Sequence, residues 1–518
     1  MRALISVSDK TDLVDFARGL AELGIEIFST GGTESLLQEA GVSVRGVQEL
    51  TGFPEILGGR VKTLHPVIYG GILALRGDRE HQAELEHHGV TPIDIVVVNL
   101  YPFLETVRRV GPSLNEALET IDIGGPTLLR AAAKNFSDVL SVCDPRDYTT
   151  VLDELQQPVG PSQEIRRRLA AKAFQHCAVY DTHIASYLRP ADELFPDEYT
   201  IALSKLAALR YGENPHQLAA FFSENSWKPR PLGVAAARQL HGKQLSFNNT
   251  YDLDAAWNVV SDFNAPCVAI VKHGNPCGLA CADDQREAYR RALATDPQSA
   301  FGGAIASNRV VDGPTADEIK EVFFEDIIAP GYTDEALEIL RHKRDLRVME
   351  TGQASDGRRD GELPERGLDY KRVTGGFLVQ TPDALPESML TRDVVTVRHP
   401  TLGELTSLLF AWRAVKHVSS NAIVLAKNLA LVGVGAGQAS RVDAVDIAVR
   451  KAGERAAGSV LASDAFFPFP DGVERAAEAG VTAVIQPGGS IRDAEVIKVA
   501  NRHHMAMIFT HQRHFKHR

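Results

Sequence analysis

A lysine and a histidine stand side by side at positions 272 and 273, in the run Ala269-Ile-Val-Lys-His-Gly-Asn-Pro-Cys-Gly278. An ammonium can stabilise an oxyanion or protonate a leaving group, and a neutral imidazole can accept a proton near pH 7. The cation beside it lowers the imidazole pKa, which keeps His273 available as a base. An arbitrary Lys-His pair is more often a salt-bridged lysine next to a hydrogen-bonded histidine, so the rest of the chain has to decide. Four other stretches carry chemistry. Ser6-Val-Ser-Asp-Lys-Thr11 and Ser29-Thr-Gly-Gly-Thr33 place small hydroxyls, glycines and Lys10 together. Gly58-Gly-Arg-Val-Lys-Thr-Leu-His-Pro66 gathers Arg60, Lys62, Thr63 and His65. Arg210-Tyr-Gly-Glu-Asn-Pro-His-Gln217 presents Arg210, Tyr211 and His216 on one turn.

Elements must position these groups. Val268 to Val271 reads as a buried strand, stopped by Gly274 and Pro276. Neighbouring strand residues point to opposite faces, so Lys272 and His273 meet on one atom only if the chain bends there. Near the N-terminus, Ala3 to Val7 reads as a strand and Leu13 to Leu23 as a helix. Ile25 to Ser29 is a second strand, and Glu34 to Ala40 a second helix. That is the βαβ rhythm of a parallel sheet. Its strand-end turns open helices, where free N–H groups and the helix dipole favour a phosphate. Residues 58–66 read as a loop, Ile93 to Leu100 as an apolar strand, and Leu128 to Lys134 as a helix after the break at Ile121–Pro126. Ser162 to Leu188 is a long helix, and Arg189 to Pro196 a linker. The expected division is 1–195 and 196–518.

In the second part, helices are expected around Trp257, over Arg286–Thr295, Leu405–His417 and Val442–Gly453. Strands are expected before Ala329, over Ile423–Ala426, over Leu431–Gly433 and at Ile508. Thr351 to Arg366 has no period and reads as a surface loop. No 20–50-residue repeat is visible.

Composition narrows the function. At 518 residues with 44% hydrophobic content the chain builds several domains' worth of core. A net charge of −12 argues against a general nucleic-acid binder. No apolar run approaches the roughly 20 residues of a membrane span, and the first residues form a strand rather than a signal peptide. Five cysteines give no disulfide framework, which points to the cytoplasm. Cys277 and Cys281 near His273 invite a zinc reading. The deaminase pattern, however, needs Cys-x-x-Cys and a glutamate two residues after the histidine; neither is present, so no catalytic metal is expected. No G-x-S-x-G elbow supports a serine hydrolase either.

The ordered set SVSDKT, STGGT, GGRVKTLHP, NLYPF, IDIGG, AAAKN, RYGENPHQ, KHGNPCG, AFGG, IIAPG, SNAIVLAKN, GAGQASR and RHFKH runs from end to end of the chain. In this it resembles the bifunctional purine-biosynthesis enzymes that join aminoimidazole carboxamide ribonucleotide (AICAR) transformylase to IMP cyclohydrolase. The resemblance implies an α/β chain. A methylglyoxal-synthase-like parallel α/β domain would carry the cyclohydrolase, and a duplicated cytidine-deaminase-like α/β domain without zinc would carry the transformylase. It implies 10-formyltetrahydrofolate as co-substrate, AICAR and formyl-AICAR (FAICAR) as substrates, and a homodimer with transformylase sites across its interface. By the same resemblance Lys272, His273 and Asn421 are the transformylase's reacting positions. Arg210, Tyr211, His216, Asn249, Phe301, Gly302, Glu325 and Arg441 contact nucleotide and folate. In the cyclohydrolase, Lys62, Tyr101, Asp122 and Lys134 are the reacting positions. Ser6, Ser8, Lys10, Thr30, Gly31, Gly32 and Thr33 cradle phosphate and ribose, with Arg60 and Thr63 beside them. Two rival readings compete with it: a nucleotide-sensing first domain without chemistry, and a single-activity enzyme with a degenerate deaminase half. The presence of Lys62, Tyr101, Asp122 and Lys134 speaks against the first, and the Lys272-His273 pair against the second.

Overall fold

The apolar run at the N-terminus forms β1 (Arg2–Val7), and its alternation settles the first layer. Ala3, Ile5 and Val7 enter one core while Leu4 enters another on the opposite face. β2 (Glu26–Ser29), β3 (Arg45–Gly46), β4 (Ile95–Asn99) and β5 (Leu140–Val142) complete a five-stranded parallel sheet in the order β3-β2-β1-β4-β5. Helices cover both faces, as a parallel sheet requires. Leu13–Glu22 and Tyr148–Leu155 pack on one side, Pro66–Leu73 and Gly124–Lys134 on the other. The computed structural model describes all residues except 110, 228–232, 353–366, 385–388 and 518. The loop expected at Thr351–Arg366 lies, from 353 onward, outside the described residues.

Contacts divide the chain into two units: Met1–Leu203 with 224–229, and Ser204–Ser223 with 230–518. Two ribbons, β6 (Leu203–Leu209) with β7 (Ala219–Glu224) and β14 (Asp369–Val373) with β15 (Gly376–Gln380), stand apart from the main sheets. The second unit is built on a twelve-stranded sheet. Its first half comprises β8 (Arg238–His241), β9 (Cys267–Lys272), β10 (Asn275–Cys281), β11 (Ala304–Ser307), β12 (Asp326–Ala329) and β13 (Arg347–Glu350). Its second half comprises β16 (Asp393–Val394), β17 (Ile423–Lys427), β18 (Ala430–Gly435), β19 (Val460–Ser463), β20 (Ala483–Gln486) and β21 (Ala506–Phe509).

The two halves repeat one plan. In space the first runs β10-β9-β11-β12-β13-β8 and the second β18-β17-β19-β20-β21-β16, joined through β10 and β18. Each half pairs a hairpin antiparallel to a three-stranded parallel set, with one antiparallel edge strand. The 14-residue helices Phe247–Val260 and Leu402–Val415 open the repeats, and both carry a capping box. They share one core, with Trp257 and Trp412 inside it, while each repeat closes its own core on the other face. No sequence period announces this duplication, because strand pairing conserves hydrophobic placement rather than residue identity.

Several local readings are corrected. Residues 58–66 do not remain a loop to the end: Pro66 is the first residue of a helix, capped by His65, whose Nδ1 accepts from Val67 N–H at 3.3 Å. Gly31 and Gly32, like Gly124 and Gly125, lie inside the first turns of helices rather than before them. The helix expected around Trp257 spans Phe247–Val260, and Pro276 lies in β10 rather than ending the structure. No helix among the described residues is long and apolar enough to cross a membrane.

Candidate functional sites

In the first unit the carboxyl ends of β1, β2 and β4 open on a cleft of about 910 Å³. Ser6, Ser8, Lys10, Thr30, Gly31, Gly32, Thr33, Arg60, Lys62, Thr63, Tyr101 and Asp122 all line it. The β1 hydroxyls meet the second strand end: Ser6 Oγ lies 3.1 Å from Thr30 Oγ1. Thr30 precedes the helix Gly31–Glu39 without capping it, so the first N–H groups of that helix face the cleft uncapped by a side chain. Lys10 Nζ donates to Thr33 Oγ1 at 2.8 Å and to the Val7 carbonyl, and burial lowers its pKa. Lys62 sits over Gly31, where a Cβ would lie 3.5 Å from its Nζ, and pairs with Glu55 at 3.3 Å. Arg60 pairs with Glu119.

Asp122 is half-buried, and burial raises its pKa, opposed by hydrogen bonds from the Gly125 and Tyr101 amides. The Gly125 bond measures 2.8 Å. Its own amide donates to Tyr180 Oη at 2.8 Å, which fixes the break before the helix Gly124–Lys134. Lys134 ends that 11-residue helix, exposed and about 15 Å along the axis from its first residue, and does not line the cleft. Asn99, absent from the sequence assignment, braces the Ser8–Asp9 turn at the end of β1. Its Oδ1 accepts from Ser8 and Asp9 N–H at 2.6 and 2.8 Å, and its Nδ2 donates to the Asp9 carbonyl at 3.0 Å. Its place at the end of β4 was the available signal.

In the second unit β9 and β10 form a hairpin whose two-residue tip is His273-Gly274, with Asn275 opposite Lys272. Both tip residues have positive φ, 52° and 69°, the geometry of a tight primed turn. The bend that one-atom chemistry requires is therefore present: Lys272 and His273 line the same cavity, about 250 Å³, with Asn275, Cys277, Asp296 and Lys451. Lys272 Nζ donates to the Phe301 carbonyl at 2.6 Å, and Gly302 (φ 72°) turns the chain there. The Phe301 ring is itself exposed, 5.2 Å from that of Phe323.

Second-repeat loops adjoin the hairpin. Asn275 Oδ1 accepts from Ser419 N–H at 2.9 Å. Two residues on, Asn421 donates to the Gln438 and Ala439 carbonyls, and its Oδ1 accepts from Arg441 at 2.6 Å. Arg441 is buried and also donates to Ser463 Oγ at 2.7 Å and to Asp464. Asn249 Nδ2 donates to Asp326 Oδ2 at 2.8 Å, and Glu325 pairs with Arg347 at 2.8 Å. Burial raises the Asp326 carboxyl to about 7. Arg210, Tyr211 and His216 lie on an exposed turn, with the Arg210 guanidinium over the Tyr211 ring at 5.2 Å. Those three, with Asn249, Phe301, Gly302, Glu325, Asn421 and Arg441, do not line the Lys272–His273 cavity.

Cys267 and Cys281 face each other across β9 and β10, both buried, and Cys277 donates to the Ile270 carbonyl. Burial pushes the Cys277 thiol up to about 12 and Cys267 well above its ordinary range. Among the described residues no group of three or more His, Cys, Asp or Glu is placed to hold a metal ion.

Comparison with known proteins bears on the whole chain. The MGS-like domain family matches residues 12–127, and the AICARFT/IMPCHase bienzyme family matches 132–451. Bifunctional purine biosynthesis protein PurH of Oceanobacillus iheyensis is 50% identical over 100% of this chain and 99% of its own. That of Anoxybacillus flavithermus is 52% identical over the same shares, and that of Listeria monocytogenes 49% over 100% of both. A solved structure described as the crystal structure of ForH covers 36% of this chain and 97% of its own, at 40% identity and a TM-score of 0.33. With a matched family spanning most of its length and relatives half identical from end to end, the chain belongs to the AICARFT/IMPCHase bienzyme family.

Proposed function

We propose that the two cavities divide the family's two reactions between them: formyl transfer at Lys272 and His273, ring closure in the cleft of the first unit. The chain catalyses the last two steps of IMP synthesis. It transfers the formyl group of 10-formyltetrahydrofolate to AICAR, giving FAICAR and tetrahydrofolate, and then closes FAICAR to IMP with loss of water.

The amine of AICAR is a weak nucleophile, because its lone pair is delocalised into the imidazole ring. As its nitrogen attacks the formyl carbon, His273 takes the amine proton. Lys272 stabilises the oxyanion, or gives its proton to the folate nitrogen as the carbon–nitrogen bond breaks. The observation that carries this reading is the hairpin tip that turns Lys272 and His273 into one cavity. Asn421, held by Arg441, orients the formyl group. Arg210, Tyr211, His216, Asn249, Phe301, Gly302 and Glu325 complete the nucleotide and folate contacts. Several of these stand exposed, which supports a homodimer in which a second copy of the chain covers them. The cytoplasm suits a chain whose five cysteines are all free.

In ring closure the carboxamide nitrogen attacks the formyl carbon of the same molecule, so positioning supplies much of the rate. The Ser6–Lys10 turn and the Thr30–Thr33 helix start hold the phosphate. Lys62 and Tyr101 stabilise the oxyanion. Asp122, with its raised pKa, exchanges protons with the attacking amide and the departing water. Lys134 joins this site only through a rearrangement or a second copy of the chain. Residues 1–195 would carry closure and 196–518 transfer.

The test supplies AICAR and 10-formyltetrahydrofolate to the full chain and follows tetrahydrofolate and IMP separately. Asp122→Asn should abolish IMP while tetrahydrofolate release continues, and His273→Ala should do the reverse when FAICAR is supplied. Loss of both activities in either variant, with the fold intact, would refute the division.

A further inference from the structure

Asp252 lies in the second turn of the helix Phe247–Val260 and serves the tip of the β9–β10 hairpin. Its Oδ2 accepts from His273 N–H at 3.1 Å and its Oδ1 from Gly274 N–H at 2.6 Å. One carboxylate thus holds both amides of the two-residue turn. Tyr251 closes on the same tip: a Cβ added to Gly274 would lie 2.4 Å from its ring. The turn needs holding, because His273 is a side-chain-bearing residue in left-handed backbone.

The second repeat supplies an internal control. Its hairpin tip, Asn428-Leu429, adopts the same turn, with φ of 52° and 60°. By the matched 14-residue helices, the residue in the place of Asp252 is Ser407. No side-chain hydrogen bond to the Asn428 or Leu429 amide is seen among the described residues. The fold therefore closes this turn without a carboxylate. Only the repeat that presents a histidine carries one.

We infer that Asp252 is a positioning residue for formyl transfer, fixing the backbone from which His273 reaches the cavity. This rests on His273 being the base. A misplacement of about 1 Å at a reacting group costs on the order of 10²-fold in rate. Removing one of the two anchors should cost somewhat less.

The experiment uses the full chain with Asp252→Asn, His273→Ala and the double variant, following tetrahydrofolate release from AICAR and 10-formyltetrahydrofolate. Asp252→Asn should lower kcat about 10- to 100-fold, with the KM for AICAR changed less than about threefold. Closure of supplied FAICAR should be unchanged. In the His273→Ala background, Asp252→Asn should remove less than about twofold more, since both act through one imidazole. A wild-type kcat in Asp252→Asn beside a crippled His273→Ala overturns the positioning role alone. An equal further loss in the double variant also overturns it, because a generally weakened fold would act independently of His273. Full activity in His273→Ala overturns the base assignment, and the positioning role with it. If Asp252→Asn does not fold, Gly274→Ala presses on Tyr251 and disturbs the same turn, and it carries the same expectations.

Discussion

Lys272 and Lys427 occupy one position in two copies of a motif. Each ends the first strand of a hairpin, and each donates from Nζ to the carbonyl three residues before the next strand, Phe301 at 2.6 Å and Ala457 at 2.9 Å. The lysine–carbonyl contact is thus a structural device of the repeat. What distinguishes Lys272 is its company: His273 follows it, where Asn428 follows Lys427, and a cavity lies beside it.

The pair separates a structural role from a chemical one. Lys272→Ala should lower formyl transfer about 10²- to 10³-fold, and His273→Ala about 10²- to 10⁴-fold. Lys427→Ala should leave the rate within about threefold of wild type. Tetrahydrofolate release from the three variants decides it. Equal losses in both lysine variants would mean that Lys272 serves only as a hairpin staple.

Arg441 and Asp464 are both buried, and the guanidinium also holds Asn421 and Ser463. Asp464 further accepts from Ser420 Oγ at 2.5 Å and Ala422 N–H at 3.1 Å. Arg441→Met keeps much of the volume but leaves a buried carboxylate without its cation. The expected loss is about 3–5 kcal/mol, read from denaturant unfolding by tryptophan fluorescence. A variant within about 1 kcal/mol of wild type would show that the two remaining donors suffice for Asp464.

Asp326 gives a pH signature. Burial raises its carboxyl from 3.8 to about 7, and its Oδ1 faces Arg347 at 3.5 Å with no hydrogen bond among the described residues. Between those values the folded state holds a proton that the unfolded chain has released. Stability from this group therefore falls as pH rises through the window, and levels off above about 7. Asp326→Asn should still accept from Asn249 and should lack the slope. Its melting temperature relative to wild type should rise between about pH 5 and pH 8. A gap that does not change with pH would contradict the raised pKa.

Extended treatment with a zinc chelator should leave both activities intact. Thiolates are what bind zinc, and burial holds the Cys267 and Cys277 thiols protonated. Loss of formyl transfer, restored by added zinc, would reverse this.

Local chemistry is legible in the amino-acid sequence itself. Apolar runs and helical patterns marked β1, β2, β4, β9 and the long helix Gln163–Leu188 close to their observed limits. Glycine and hydroxyl residues at strand ends marked the cleft, and twelve of the residues singled out for the first unit do line it. These signals lie within a few residues of one another, so the chain's own periodicity displays them. What only the tertiary structure decided depends on partners far away in sequence. The sign of φ at His273 is set in a hairpin whose amides are held by Asp252, twenty-one residues earlier. The joining of two six-stranded repeats through β10 and β18 pairs residues 150 positions apart, Ala280 with Ala430. Backbone hydrogen bonds carry no side-chain identity, so neither the handedness of that turn nor the duplicated sheet leaves a mark in the residue pattern.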